Sequence, residues 1–180
     1  MYSVILIGTT HPIQLGESSL DLFKKVLREQ CQSHRVEGVA EEIKNGDATV
    51  ALALAAELQP PIPHLYADPD IKERMEHGMP SNIADIILGL QNEYAARFPE
   101  IRCWPRNASS ENLPQEVWNE YLKRSNDADR MREQIWLNKI ISFDKWPLLF
   151  ICGADHFIEF SKLLKQNGVR VVEVNKDWSA

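Results

Sequence analysis

Two apolar, β-branched runs in this chain each stop at a glycine and reach a histidine three residues later. Val4-Ile5-Leu6-Ile7 leads into Gly8-Thr9-Thr10-His11, and Leu148-Leu149-Phe150-Ile151-Cys152 leads into Gly153-Ala154-Asp155-His156. Runs of this length and branching read as buried strands, and a glycine at the strand end allows a sharp turn. Between them, helical and strand-like segments alternate. Leu20, Phe23, Val26 and Leu27 recur at helical spacing behind Ser18-Ser19, Val36 to Ala40 is a short strand ending in Glu41-Glu42, and Ala48 to Leu58 is a helix stopped by Pro60-Pro61. His64 to Ala67 forms a third strand and Ile71 to His77 a short helix, while Ile83 to Phe98 carries a strong amphipathic stripe. Arg130 to Ile141 and Phe157 to Gln166 are helical, the latter ended by Gly168 before the strand Val169 to Val174. Strands alternating with helices predict an α/β fold, a mainly parallel central sheet with helices on both faces.

One segment breaks the alternation. Pro99 to Asp129 is polar, contains Pro105, Pro114 and an Asn/Ser cluster, and has a single short helical pattern around Gln115 to Lys123. It is expected to be a helical cap or lid insertion over the sheet, within one domain covering 1–180, since a chain of ~100–200 residues usually folds around one core. The composition fits such a core, with 44% apolar and 26% charged residues. Lys and Arg total 20 against 26 Asp and Glu, a net charge of −6, and no basic tract compensates, so nucleic acid is not an expected partner. The apolar runs fall far short of the ~20 residues of a membrane-spanning helix, and no signal-type segment is read at the N-terminus. Cys31, Cys103 and Cys152 are odd in number and widely spaced, which predicts reduced thiols and a cytoplasmic setting.

In an open parallel sheet the carboxyl ends of the strands share one edge, and ligands bind there. His11 and His156 are therefore expected on that edge within ~10 Å of each other, with Glu41 or Glu42 at the end of the second strand beside them. Two imidazoles and a carboxylate suit either a divalent metal, held by His11, His156 and Glu41, or direct acid–base catalysis. Strand alternation alone leaves open which of Glu41 and Glu42 points into the site. Thr9, Thr10, His64 and Asp155 are placed near the same edge as substrate-contacting candidates, and Trp104 or Trp118 of the proposed lid would line the cleft. Arg132 precedes Trp136 by one helical turn, so it shares that side of the helix and is expected to be partly buried beside Glu41, Glu42 or Asp155.

This arrangement resembles the erythromycin-esterase/ChaN-like group, which also contains the Tiki and TraB/PrgY proteins. Its members are α/β domains with one Gly-x-x-His motif in each half, a glutamate after the second strand, and an Arg-Asp or Arg-Asn pair on the helix before the second motif. Gly8 to His11, Glu41 or Glu42, Arg132 and Gly153 to His156 occupy the matching positions here, with Glu133 where the group carries Asp or Asn. The resemblance implies a site whose chemistry ranges from ester hydrolysis through metal-dependent peptide cleavage to haem binding. The expected function is a hydrolase, possible with or without a divalent metal, acting on an ester, peptide or phosphoester of a small molecule or peptide. The alternative is a non-catalytic domain of the same fold that binds a small ligand or partner. A second resemblance is local. The stretch from Gly8 to Glu17 keeps the glycines and proline of the cytidylyltransferase-like turn, but Gln14 and Glu17 stand where that turn has its two phosphate-binding histidines.

Overall fold

The computed structural model describes residues 2–104 and 113–179; part of the proposed lid, residues 105–112, lies outside the described residues. The chain divides into two compact units, one formed by Met1–Asp70 with Arg132–Ala180 and the other by Ile71–Met131. The second unit thus begins well before Pro99, at the short helix after the third strand.

The first unit holds five strands, β1 (Ser3–Thr9), β2 (Gly38–Glu41), β3 (His64–Tyr66), β4 (Leu148–Gly153) and β5 (Arg170–Asn175). They form one sheet in the order β3-β2-β4-β1-β5, and every pairing is parallel. β4 sits in the middle, and its register brings Cys152 beside Gly8 and Ile151 beside Glu41, so three strands end together. The alternation of side chains along the strands separates two apolar layers. Ile5, Ile7, Val39, Leu149 and Ile151 pack with α2 (Leu20–His34) and α3 (Val50–Glu57). Val4, Leu6, Ala40, Leu148, Phe150 and Cys152 pack with α7 (Phe157–Gln166) and with the end of α6 (Gln115–Phe143). The expected α/β fold, with helices on both faces of a parallel sheet, is the observed one.

Aromatic packing fixes the second layer. Phe150 of β4 lies 4.7 Å from Phe160 of α7 and 5.8 Å from Trp136 of α6, with Trp136 and Phe160 edge-to-face at 5.4 Å. All three rings are fully buried, and truncating one would cost roughly 3–5 kcal/mol. This cluster anchors the helix turn that carries Arg132 and Glu133.

The second unit is helical, with α4 (Ile71–Glu76), α5 (Ile83–Tyr94), a short 3-10 turn at Pro99–Cys103 and the first part of α6. Asn82 caps α5 by accepting the Ala84 N–H at 2.7 Å. Ile86, Leu90, Ile101, Trp104, Leu113 and Val117 form its core, and the Gln91 amide donates to the carbonyl of Trp104 at 2.7 Å. The two helical segments expected at Gln115–Lys123 and Arg130–Ile141 are one continuous helix, α6. The residues between them are polar, yet neither glycine nor proline occurs anywhere from Gln115 to Phe143, so nothing interrupts the backbone ladder. α1 (His11–Gln14) was not expected; Pro12 at its start presets the helical φ.

Candidate active site

The connections after β1 and β2 lead to helices on one face of the sheet, whereas β4, which lies between them, leads to α7 on the other. Adjacent strands whose chains leave in opposite directions open a crevice at their carboxyl ends. Both Gly-x-x-His segments sit at this crevice, joined where the Ala154 N–H donates to the Thr9 carbonyl at 3.0 Å. The two glycines serve different needs. A Cβ on Gly153 would stand 3.1 Å from Glu42 Oε2, the atom that accepts the Gly153 N–H at 2.6 Å. A Cβ on Gly8 would fall 1.8 Å from the Lys176 carbonyl oxygen, because the segment after β5 crosses there. That segment is tied down by the Trp178 N–H to the Gly8 carbonyl at 2.7 Å, by the Thr9 hydroxyl to the Trp178 carbonyl at 2.9 Å, and by the Trp178 ring 4.8 Å from Phe23. Thr9 is buried in this clasp, while Thr10 and Asp155 are exposed.

Alternation along β2 separates the two glutamates. Val39 faces α2 and α3, Ala40 faces α6 and α7, and Glu41 and Glu42 continue the same sequence of faces. Glu41, fully buried, accepts from the Thr49 hydroxyl and lies 2.6 Å from His64 Nε2; Thr49 also caps α3. Glu42 instead lies on the α6 side. Its Oε1 accepts from Arg132 Nη2 at 2.7 Å, and the same oxygen lies 3.4 Å from His156 Nε2 and 3.8 Å from His11 Nε2. His11 and His156 thus flank one carboxylate oxygen, and neither nitrogen is farther from it than 3.8 Å.

Arg132 is the cation at the centre of this group. Its Nε and Nη2 donate to Asp68 Oδ1 at 3.0 and 2.8 Å, Nη2 also reaches Glu42, and Nη1 points to His156 Nε2 at 3.3 Å. The guanidinium lies 5.3 Å from the centre of the Trp136 ring, whose indole N–H also reaches Asp68 Oδ1, at 3.3 Å. His156 Nε2 thus lies between the Arg132 donor at 3.3 Å and the Glu42 Oε1 acceptor at 3.4 Å, while its Nδ1 faces Glu133 Oε1 at 2.9 Å. Glu133 is 1% exposed, and it was missed from sequence as a site residue. The signal was present: positions 133, 136, 137 and 140 share one helical stripe, and Trp136, Leu137 and Ile140 are core residues. Asp68, just past the end of β3, takes two of the Arg132 donors on one carboxylate oxygen.

Glu42 and Asp68 meet the Arg132 guanidinium, Glu133 meets His156, and the Lys139 ammonium donates to the Asp68 carbonyl at 3.2 Å. Burial pushes the Glu42 carboxyl upward, but His11, His156, Arg132 and the Gly153 N–H together outweigh it and hold Glu42 below the ordinary carboxylate value. The Glu42 carboxylate raises His11 above the ordinary imidazole value, with burial and Arg132 opposing and Asp68 assisting. The His11 side chain is 57% exposed, against 9% for His156 and 17% for Arg132, so His11 is the member of the group most open to a reactant. Cys152 is no nucleophile: complete burial, reinforced by Glu42 and Glu133, drives its thiol well above the ordinary range.

The divalent ion expected from His11, His156 and Glu41 does not find that trio assembled, since Glu41 is engaged by Thr49 and His64 while Glu42 meets both histidines. Among the described residues no group of three or more His, Cys, Asp or Glu side chains is arranged to hold a metal. The Arg132 guanidinium stands beside Glu42, Asp68 and His156. Trp104 and Trp118 belong to the core of the second unit, where both pack against Tyr121 at ring separations of 5.0 and 5.2 Å. No helix among the described residues is long and apolar enough to cross a membrane. In comparisons with known proteins, no family model, no curated protein and no solved structure matches the chain.

Proposed function

We propose that the sheet unit is a hydrolase that cleaves a carbonyl ester or amide bond in a small molecule or peptide, with His11 as general base toward the attacking water. One observation carries this reading: a buried, ionised glutamate, Glu42, faces an accessible histidine whose basicity it raises. With Nε2 turned toward Glu42, Nδ1 of His11 is the nitrogen left to take the proton from water. Glu42 orients the imidazole and stabilises the imidazolium that forms, as a carboxylate behind a catalytic histidine does. Arg132 positions Glu42 and Asp68 rather than gripping the substrate, because its donors are directed to protein acceptors. The motif resemblance to the erythromycin-esterase/ChaN-like group supports the same class of chemistry.

The test is turnover of a panel of neutral nitrophenyl esters, anilides, short peptides and nitrophenyl phosphate by the whole chain, with His11→Ala and Glu42→Gln beside it. Loss of the general base should cost about 10²–10⁴ in kcat with the fold intact. If no ester or amide is turned over, or His11→Ala leaves turnover unchanged, the domain is a binding module instead.

A further inference from the structure

Behind the candidate site, on the α3 side of the sheet edge, three buried polar atoms lack hydrogen-bond partners. Gln14, the last residue of α1, is 1% exposed, and neither its Oε1 nor its Nε2 is bonded. Glu41 is fully buried and uses Oε1 for both Thr49 and His64, while Oε2 is bonded to nothing. Buried polar groups are nearly always satisfied, and leaving a carboxylate oxygen and a whole amide unsatisfied is costly. The two residues end elements, α1 and β2, that both pack against α3. Glu41 bonds Thr49, which is followed by Val50 at the head of α3; Ile13, next to Gln14, packs in the same apolar cluster as Val50; and a Cβ on Gly16 would lie 3.5 Å from Val50 Cγ2.

The unsatisfied set defines its guest. Two oxygens, Glu41 Oε2 and Gln14 Oε1, call for donors, and the Gln14 amide nitrogen calls for an acceptor. A bare cation would satisfy the oxygens and oppose the amide N–H, whereas one water offers two donors and two acceptors. We propose that Gln14 and Glu41 hold an internal water that ties α1 to the end of β2. α1 opens with His11, and the residue after Glu41 is Glu42, so this bridge sets the spacing between the two groups of the proposed dyad. The water site stands independently of the hydrolase reading; its consequence for His11 rests on that reading.

Three measurements on the full chain test it. A crystal structure that resolves solvent should show a water within about 3.2 Å of both Glu41 Oε2 and a Gln14 amide atom; a direct Gln14–Glu41 bond, or no water there, overturns the proposal. Gln14→Met keeps the side chain's size and removes its polar atoms. If the water bridges, the thermal midpoint falls; if the atoms are merely unsatisfied, the substitution relieves them, and a midpoint equal to or above wild type overturns the proposal. A midpoint that rises with potassium or ammonium chloride but not with choline chloride would place a cation there and overturn the water. For the positioning consequence, the same variant should displace the NMR titration midpoint of His11, and an unchanged midpoint refutes it. Failure of the hydrolase reading would show instead as His11→Ala leaving turnover intact.

Discussion

Replacing Arg132 by alanine is the most informative single perturbation. The side chain is 17% exposed, and its removal takes the guanidinium away from both Glu42, 2% exposed, and Asp68, 11% exposed. Breaking a buried pair by deleting one partner typically costs 3–5 kcal/mol, because the survivor remains a desolvated charge. Here two carboxylates survive, so the upper half of that range is expected, less whatever they recover by taking up a proton. At ~2–4 °C per kcal/mol for a chain of this size, the thermal midpoint at pH 7.5 should fall by roughly 6–20 °C. The pH dependence discriminates the cause. In the wild type Glu42 is held below the ordinary value, so its contribution is present above the unfolded carboxylate pKa of ~4.3 and is lost as pH falls through the lower folded pKa. The variant loses one of the groups that oppose burial, so Glu42 binds its proton more readily than in the wild type and acidification costs the fold less. The gap between the two proteins should therefore narrow from pH 8 to pH 5. Arg132→Lys should fall between them, since an ammonium keeps the charge but cannot bridge Asp68 and Glu42 with a planar fork. Denaturant unfolding at several pH values measures this, and a loss under about 1 kcal/mol that does not vary with pH would refute the charge-cluster reasoning.

Other outcomes follow from the same geometry. Gly8→Ala should destabilise far more than Gly153→Ala, because the added Cβ meets the Lys176 carbonyl oxygen at 1.8 Å in one case and the movable end of the Glu42 side chain at 3.1 Å in the other; unfolding midpoints of the two variants decide it. His11 should titrate by NMR above the ordinary imidazole value of ~6.5, and Glu42→Gln should bring it down. The stability that comes from the His11–Glu42 pairing is fully present below ~6.5 and is lost as pH rises through the folded value. A thiol reagent at pH 8 should modify exposed Cys103 promptly in the native protein, while Cys31, pushed by burial to about 11, and Cys152 should react only on unfolding.

The fold was legible because its signals are local. Val4 to Ile7 and Leu148 to Cys152 are β-branched or apolar throughout, as strands buried on both faces must be, and glycines or prolines punctuate most of the remaining segments. What escaped was the continuity of α6. A polar run such as Ser125-Asn126-Asp127 reads as a loop by composition, yet without glycine or proline the helix has no reason to stop, and a helix packed at both ends needs little propensity in between.

The site was legible to the extent that topology alone builds it. Placing His11, Glu42 and His156 together required only that β1, β2 and β4 be parallel and adjacent at their carboxyl ends. The choice between Glu41 and Glu42 needed the direction of one strand residue, and Ala40 supplies it by packing on the α6 side; the next residue of that parity is Glu42. Asp68 and Glu133 were harder, because a turn aspartate and a helical glutamate have ordinary explanations in sequence. Each gains a place in the site only when Arg132 is seen to be buried beside His156, since a buried guanidinium needs anions around it and Glu133 meets the other nitrogen of that histidine. Arg132 and Glu133, neighbours on α6, reach opposite nitrogens of His156, Arg132 Nη1 at 3.3 Å from Nε2 and Glu133 Oε1 at 2.9 Å from Nδ1, so one helical turn places both a cation and a carboxylate on that ring.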